Sequence, residues 1–357
     1  MYKSMRNLLA LCLSVLMMLG LFTACAPAEV DPTTEPPETT AAPTDPTAPV
    51  SNQTPEEVRV LRILTLGHSL AVDSCHMLNL VCATEGIGNY DEIQIATLYY
   101  SGCPLIKHLT FALENSPEYN LYVSSTKTPD QPPVIEKAVT MQYALEKEYW
   151  DIIVMQGGVF EIAVDNTYTD VTLKTLINYV NKYKKDPAAI FAWHMPWATP
   201  TDNELRDKYP YANNSYYTNY AKYDDDRSKF YQGITGCVER NIMTNSTFQF
   251  LIPSGTSIEN ALSSYLVEKD LHRDYAHATD YGRVIAAYTW YCKIMGMEKL
   301  DAIHLNAIPK AFFKSTTGDE DRVLTDMEKA IALEAINNAL KEPLKMTQSQ
   351  YTTAPAE

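Results

Sequence analysis

The sequence predicts an α/β fold for residues 58–345: a three-layer α/β/α sandwich around a mainly parallel sheet of five strands, flavodoxin-like in order. Three observations carry this expectation. Short runs that are apolar nearly throughout alternate with longer stretches of helical spacing. Such runs suit strands buried on both faces. The stretches between them are long enough to cross back over a sheet and pair the next strand in parallel.

The strands are expected at 61–66 (LRILTL), 93–98, 151–155 (DIIVM), 189–193 (AIFAW) and 248–252 (FQFLI). From Ser69 the spacing turns helical through Val72, Cys75, Leu78 and Val81, and further helices are expected over 139–148, 168–184, 228–242, 257–267, 280–295 and 325–340. Two stretches, 115–133 and 199–226, break the rhythm and read as long polar loops; the second carries Tyr209, Tyr211, Tyr216, Tyr217, Tyr220 and Tyr223. In an open sheet of this type a ligand binds at the carboxyl ends of the strands.

Outside the domain the composition changes. Lys3 and Arg6 precede the apolar run 8–22, which ends in Phe22-Thr23-Ala24-Cys25. That order reads as a secretory signal over residues 1–24, the apolar run being short for a membrane span. Cys25 is then the lipidated residue of a lipoprotein, with Phe22 standing where leucine is usual; a plain signal cut near Ala24 or Ala26 is the other reading. Residues 25–57 form a linker: between Ala26 and Glu57 lie eight prolines, seven carboxylates and no lysine or arginine. Such a segment buries too little apolar surface to offset its ordering entropy. In polyproline II form, at about 3.1 Å per residue, it spans roughly 100 Å. The expected location is extracytoplasmic, anchored to a bacterial cell membrane through the N-terminal lipid alone. Residues 346–357 read as a polar tail.

The chain carries a formal charge of −15; without the two N-terminal cations and the seven linker carboxylates, −10 remains on the domain. An acidic body argues against nucleic acid and anionic membrane surfaces as partners. The domain cysteines, Cys75, Cys82, Cys103, Cys237 and Cys292, are odd in number, and neither CxxC nor HExxH occurs. No metal is therefore expected. Cys75 and Cys82, seven apart on a helical stretch, read as core.

Four short segments carry the chemistry. Gly67-His68-Ser69 ends the first strand, where glycine permits a sharp turn and a serine sits beside the backbone N–H groups of a helix start. Ser101-Gly102-Cys103 follows the second strand, and Gln156-Gly157-Gly158 the third. Each can present a donor to a developing oxyanion. Asp274-Tyr275-Ala276-His277 places a carboxylate three residues before a histidine, close enough to hold Nδ1 and leave Nε2 as a base toward a serine. His272 is the rival base but lacks a carboxylate at that spacing. Taken singly, each segment is better explained as a helix cap, a turn glycine or a solvated loop.

As an ordered set they resemble the SGNH/GDSL hydrolases, and more closely an SGNH-like bacterial lipoprotein branch from gut and soil. The blocks that carry the resemblance are ILTLGHSLAVDS, LYYSGCPL, WDIIVMQGG, AWHMPWA, IPSGTSIENA and RDYAHATDYGRVIAAYTWY, covering most of residues 61–296. The resemblance implies Ser69 as nucleophile, His277 as base and Asp274 as its orienter. It further implies an oxyanion hole from the backbone of Ser69 and Gly102 and the side chain of Gln156. Two residues depart from the pattern: His68 replaces Asp or Asn beside the nucleophile, and Gln156 stands where many members have Asn. His68 either imitates Asn or marks a decayed site.

His194, in the segment Trp193-His194-Met195-Pro196-Trp197, is either a substrate contact or a packed histidine. Trp197 and Glu259 are further candidates for the cleft. The function implied is a serine esterase that deacylates, and in particular deacetylates, carbohydrate or another small ester without a cofactor. The alternative is a non-catalytic carbohydrate- or ligand-binding lipoprotein on the same fold.

Overall fold

The computed structural model describes residues 58–159, 161–202, 204–205, 222–309 and 321–354. The signal, Cys25, the linker and most of the tyrosine-rich stretch lie outside them. β1 (Val60–Gly67) leads into α1 (Ser69–Cys75) and α2 (Leu78–Glu85); β2 (Glu92–Tyr99) into α3 (Leu105–Glu114). The hairpin β3 (Tyr119–Ser125) and β4 (Val134–Val139) follows, then α4 (Met141–Lys147), β5 (Ile152–Gln156) and α5 (Thr175–Tyr183). β6 (Ile190–His194), α6 (Arg227–Val238), β7 (Phe248–Ile252), α7 (Ser254–Leu262), α8 (Glu268–Leu271) and α9 (Asp280–Ile294) complete the sandwich. A small pair, β8 (Ala307–Ile308) with β9 (Arg322–Val323), and α10 (Asp326–Lys341) end the fold.

The main sheet runs β4-β3-β2-β1-β5-β6-β7. Its five expected strands are parallel, in the register Leu66↔Leu98 and Leu66↔Met155 about the centre. The sheet has seven strands, however, because β3 and β4 add to its edge antiparallel. The stretch 115–133 reads as a loop because it is polar and rich in tyrosine and proline, and in β3 only Tyr119 and Leu121 are buried. Pairing with β2 supplies what that weak local pattern does not.

The apolar runs are continuous because the sheet is covered twice. Along β1, Leu61 and Ile63 join a core with α1, α2, α7, α9 and α10, while Leu64 and Leu66 face a second core under α3, α4, α5 and α6. The expected helices at 168–184 and 228–242 are present, but each includes a π-helical segment, at Asp170–Lys174 and Glu239–Met243. α3 carries no expectation from the sequence. The stretch that begins at Ser69 divides at Met77 into two helices, and Cys75 and Cys82 are both buried. All five described cysteines are free and buried. The expected tail is packed as far as it is described: Thr347 N donates to Asn260 Oδ1 (2.7 Å) and Tyr265 N to Tyr351 O (2.9 Å). From β1 the strands are added through β2 on one side and from β5 on the other, so the strand order reverses between the parallel pair β1 and β5. That crevice is where an open α/β sheet places its site.

Candidate active site

Gly67-His68-Ser69 occupies the carboxyl end of β1, and the turn tolerates no side chain at its first residue. A Cβ on Gly67 would lie 2.7 Å from Ala71 Cβ and 2.9 Å from Gln156 Oε1. His68 is extended and caps α1, its Nδ1 accepting from Leu70 N (3.3 Å). Its Nε2 lies 2.8 Å from Gly157 O, a pure acceptor, so the proton sits on Nε2 and the ring is neutral. A second proton would set Nδ1–H against the Leu70 N–H. Burial pushes the imidazole down to about 4, against the Gly157 hydrogen bond and with help from the nearby charge of His277. The ring therefore accepts at the cap and donates to a carbonyl, as an asparagine amide does.

A buried hydrogen-bonded circuit continues from this turn. Gln156 Oε1 accepts from His68 N (3.3 Å), and Gln156 Nε2 lies 3.0 Å from His194 Nδ1. His194 Nε2 lies 3.4 Å from Ser74 Oγ, which itself donates to Leu70 O (2.9 Å). With Nδ1 accepting and Nε2–H donating, His194 is neutral as well; burial is the main cause that holds its basicity well below the ordinary range. The ends of β1, β5 and β6 are thereby fastened to the first turns of α1.

His277, the base expected from the sequence, lies on the loop before α9. An isolated bridge pairs His272 with Ala278, and Arg273 N donates to His277 O (2.9 Å), closing the loop on itself. Asp274 Oδ1 accepts from Ala276 N (3.0 Å) and His277 N (2.9 Å). Both Asp274 oxygens lie 2.9 Å from His277 Nδ1. Burial opposes the Asp274 charge, but the His277 hydrogen bond and charge, with the two backbone amides, outweigh it and lower the carboxyl to about 2. Nδ1–H thus points at a carboxylate, leaving Nε2 as the basic nitrogen. Trp197 Nε1 donates to Ala276 O (2.7 Å) beneath the loop, and the Tyr275 ring meets the His277 ring edge-on at 5.9 Å.

Asp73 joins this loop to the serine. It stands one turn after Ser69 on α1, and its Oδ2 accepts from Ala278 N (2.9 Å), the residue after His277. Arg273 Nη1 (3.1 Å) and Arg283 Nη2 (2.8 Å) flank the same carboxylate. Among the described residues no hydrogen bond joins Ser69 Oγ to the His277 ring. Ser69 N–H and Gly102 N–H likewise donate to no described residue. Gly102 has φ +59, the left-handed region that glycine enters without strain, and follows β2, whose Tyr99 pairs with Gly67.

Several expected contacts change their role. His68 and His194 are fully buried and Trp197 is 1% exposed, so none of the three offers a surface to substrate. They brace the serine turn and the base loop instead. Glu259 is also buried, in an ion pair with Arg227 (2.7 Å), among Thr201, Leu262 and Glu268 in a separate recess. Gln156 is fully buried with both ends of its amide engaged, Nε2 on His194, so its described role is to brace the turn. Rival His272 is buried against Glu268 O (3.2 Å) and is held neutral. Asp73, Arg273, Arg283 and Ser74 were not expected. Asp73 shares a helix face with Ser69, which the four-residue spacing shows, but its partners Arg273, Ala278 and Arg283 lie 200, 205 and 210 residues away in the chain.

Comparison with known proteins agrees with this geometry at the level of the fold. No curated protein matches the chain. A crystal structure of a DUF4886 family protein from Bacteroides uniformis superposes with a TM-score of 0.65 at 23% identity, covering 82% of this chain and 100% of that one. A putative SGNH hydrolase from Slackia heliotrinireducens gives a TM-score of 0.39 at 17% identity, over 65% of this chain and 97% of its own. A family 3 carbohydrate esterase from Clostridium thermocellum gives 0.36 at 11%, over 67% and 98%. The family described as a domain of unknown function, DUF4886, matches residues 62–307, a span that runs from β1 through the serine turn, the histidine loop and α9 to β8, and the chain belongs to that family.

Proposed function

We propose that the chain is a serine ester hydrolase of the SGNH kind, acting on acylated carbohydrate or another small ester at the cell surface. The observation that carries this reading is the Asp274–His277 pair, held at 2.9 Å and bound through Ala278 to the helix that starts at Ser69. In the proposed reaction Ser69 Oγ attacks the ester carbonyl carbon while His277 Nε2 takes the hydroxyl proton. The tetrahedral oxyanion is met by the N–H groups of Ser69 and Gly102. Collapse breaks the bond to the alcohol oxygen, which receives the proton from His277. Water, deprotonated by the same nitrogen, then attacks the acyl carbon, the bond to Ser69 Oγ breaks, and Oγ receives the proton from His277 as the acid leaves. The side chains that do this are all from the chain itself. The carbohydrate preference rests on the family resemblance and the expected surface location.

The experiment is reaction of the protein with a fluorophosphonate probe, with turnover of aryl acetates and acetylated sugars measured in parallel. Labelling at Ser69, absent in Ser69→Ala, is expected. A folded protein that neither labels nor turns over any of these esters would favour the binding protein.

A further inference from the structure

Catalysis by two residues about 208 positions apart requires something to set their distance, and the described contacts converge on one carboxylate. Asp73 is 2% exposed and receives four kinds of donor: Ala278 N at 2.9 Å, Arg273 Nη1 at 3.1 and 3.2 Å, Arg283 Nε at 2.9 Å and Arg283 Nη2 at 2.8 Å. Arg273 also donates to Ala278 O and approaches Asp274 Oδ2 at 4.0 Å. Arg283 is held from its other side by Asp280 (3.2 Å). The described straps from Ala278, Arg273 and Arg283 to α1 therefore meet on Asp73, one turn beyond Ser69. The two arginines outweigh burial and keep this carboxyl ionised. A buried carboxylate with this many charge-assisted bonds has a fixed position.

We infer that Asp73 is a positioning residue that holds the His277 loop against the nucleophile's helix, and so sets the reach from Nε2 to Ser69 Oγ. This rests on the proposed esterase reading. It is separate from the Asp274 role: Asp274 orients the ring within its loop, whereas Asp73 places the loop. Misplacement of a catalytic group by about 1 Å costs on the order of 100-fold in rate.

The test uses Asp73→Asn and, because removing a buried charge can prevent folding, Arg273→Lys at a partly exposed position. In Asp73→Asn, kcat should fall about 100-fold with KM within about threefold of wild type. Probe labelling at Ser69 should slow by a similar factor yet reach wild-type stoichiometry. Arg273→Lys should lose about 10-fold in the same pattern, since lysine keeps the charge but not the planar fork. A smaller labelled fraction with unchanged kcat per labelled site would mean that Asp73 only stabilises the fold, and would overturn the inference; so would wild-type kcat in a folded Asp73→Asn, or in Arg273→Lys where the first variant does not fold. Hydrogen exchange of segment 273–279 gives a readout independent of esterase activity. It should accelerate in the variants, and unchanged protection would also overturn the inference. A wild type that does not label at Ser69 counts against the esterase reading, leaving exchange to decide the role of Asp73.

Discussion

His68 Nε2 lies 2.8 Å from the carbonyl oxygen of Gly157, while the same ring accepts the Leu70 amide at Nδ1. The imidazole thus bridges the serine turn to the end of β5 with one donor and one acceptor, the complement that an asparagine side chain offers. A histidine beside Ser69 is in this way compatible with an intact turn. What it changes is size and titration, and both lead to measurable consequences.

The first concerns His68 itself. His68→Asn should keep kcat/KM within about threefold of wild type, because cap and carbonyl both retain partners. His68→Ala removes both at once, costing about 1 kcal/mol for the cap and a further 1–3 kcal/mol for the unpaired carbonyl. Its melting temperature and kcat should both fall. His68 is lowered to about 4, so its ring stays neutral above about pH 5 and the kcat/KM profiles of wild type and His68→Asn should run parallel there, a comparison of two pH profiles.

Ser69→Ala, His277→Ala and the double variant provide the second. Each single change should abolish p-nitrophenyl acetate turnover; Ser69→Ala should leave the melting temperature close to wild type, because Ser69 donates no described hydrogen bond, whereas His277→Ala should lower it modestly, because buried Asp274 loses its ring partner. The double variant should be scarcely worse than either, since the two act as a unit. Additive losses would contradict a shared proton-transfer step.

Acid stability gives a third. His68 is lowered to about 4, His108 to about 3, and His194 and His272 well below the ordinary value, each chiefly by burial. The folded state binds these protons more weakly than the unfolded chain, whose histidines titrate near 6.5. Their contribution is therefore complete above pH 6.5 and is lost progressively as pH falls from there, for His68 down to about 4 and for His108 down to about 3. Each histidine contributes a slope of about 1.4 kcal/mol per pH unit. The urea midpoint should drop steeply between pH 7 and 5, and less steeply in His68→Asn. A flat midpoint over that range would show that the rings are not buried and neutral. Below pH 4 the lowered carboxyl of Asp274 adds a further loss of the same sign.

Membrane attachment is the fourth, and it rests on the residues 1–25 alone. Cys25→Ser should shift the protein from the membrane fraction to the medium or leave it unprocessed. A processed variant that still carries label from a radiolabelled fatty acid would refute Cys25 as the anchor.

The sequence alone determined the layering and five parallel strands, because strands buried on both faces and helices with one apolar face leave local signatures of period and composition. It also determined Asp274 and His277 as a pair, since a contact three residues apart on one turn is a local matter. The edge hairpin β3–β4 needed the tertiary structure, because half-buried strands alternate with polar residues and read as loop. So did the fates of His194, Trp197 and Glu259. Their positions after strands were legible, but whether each side chain faces a cleft or packs inward depends on neighbours distant in the chain, such as Trp290 against His194 and Arg227 against Glu259. Asp73 shows the division most plainly: its spacing from Ser69 belongs to a single helix, whereas the amide and two guanidinium groups that it receives come from about 200 residues away. Only folding brings those groups to one carboxylate, and only their combined charge makes its burial stable.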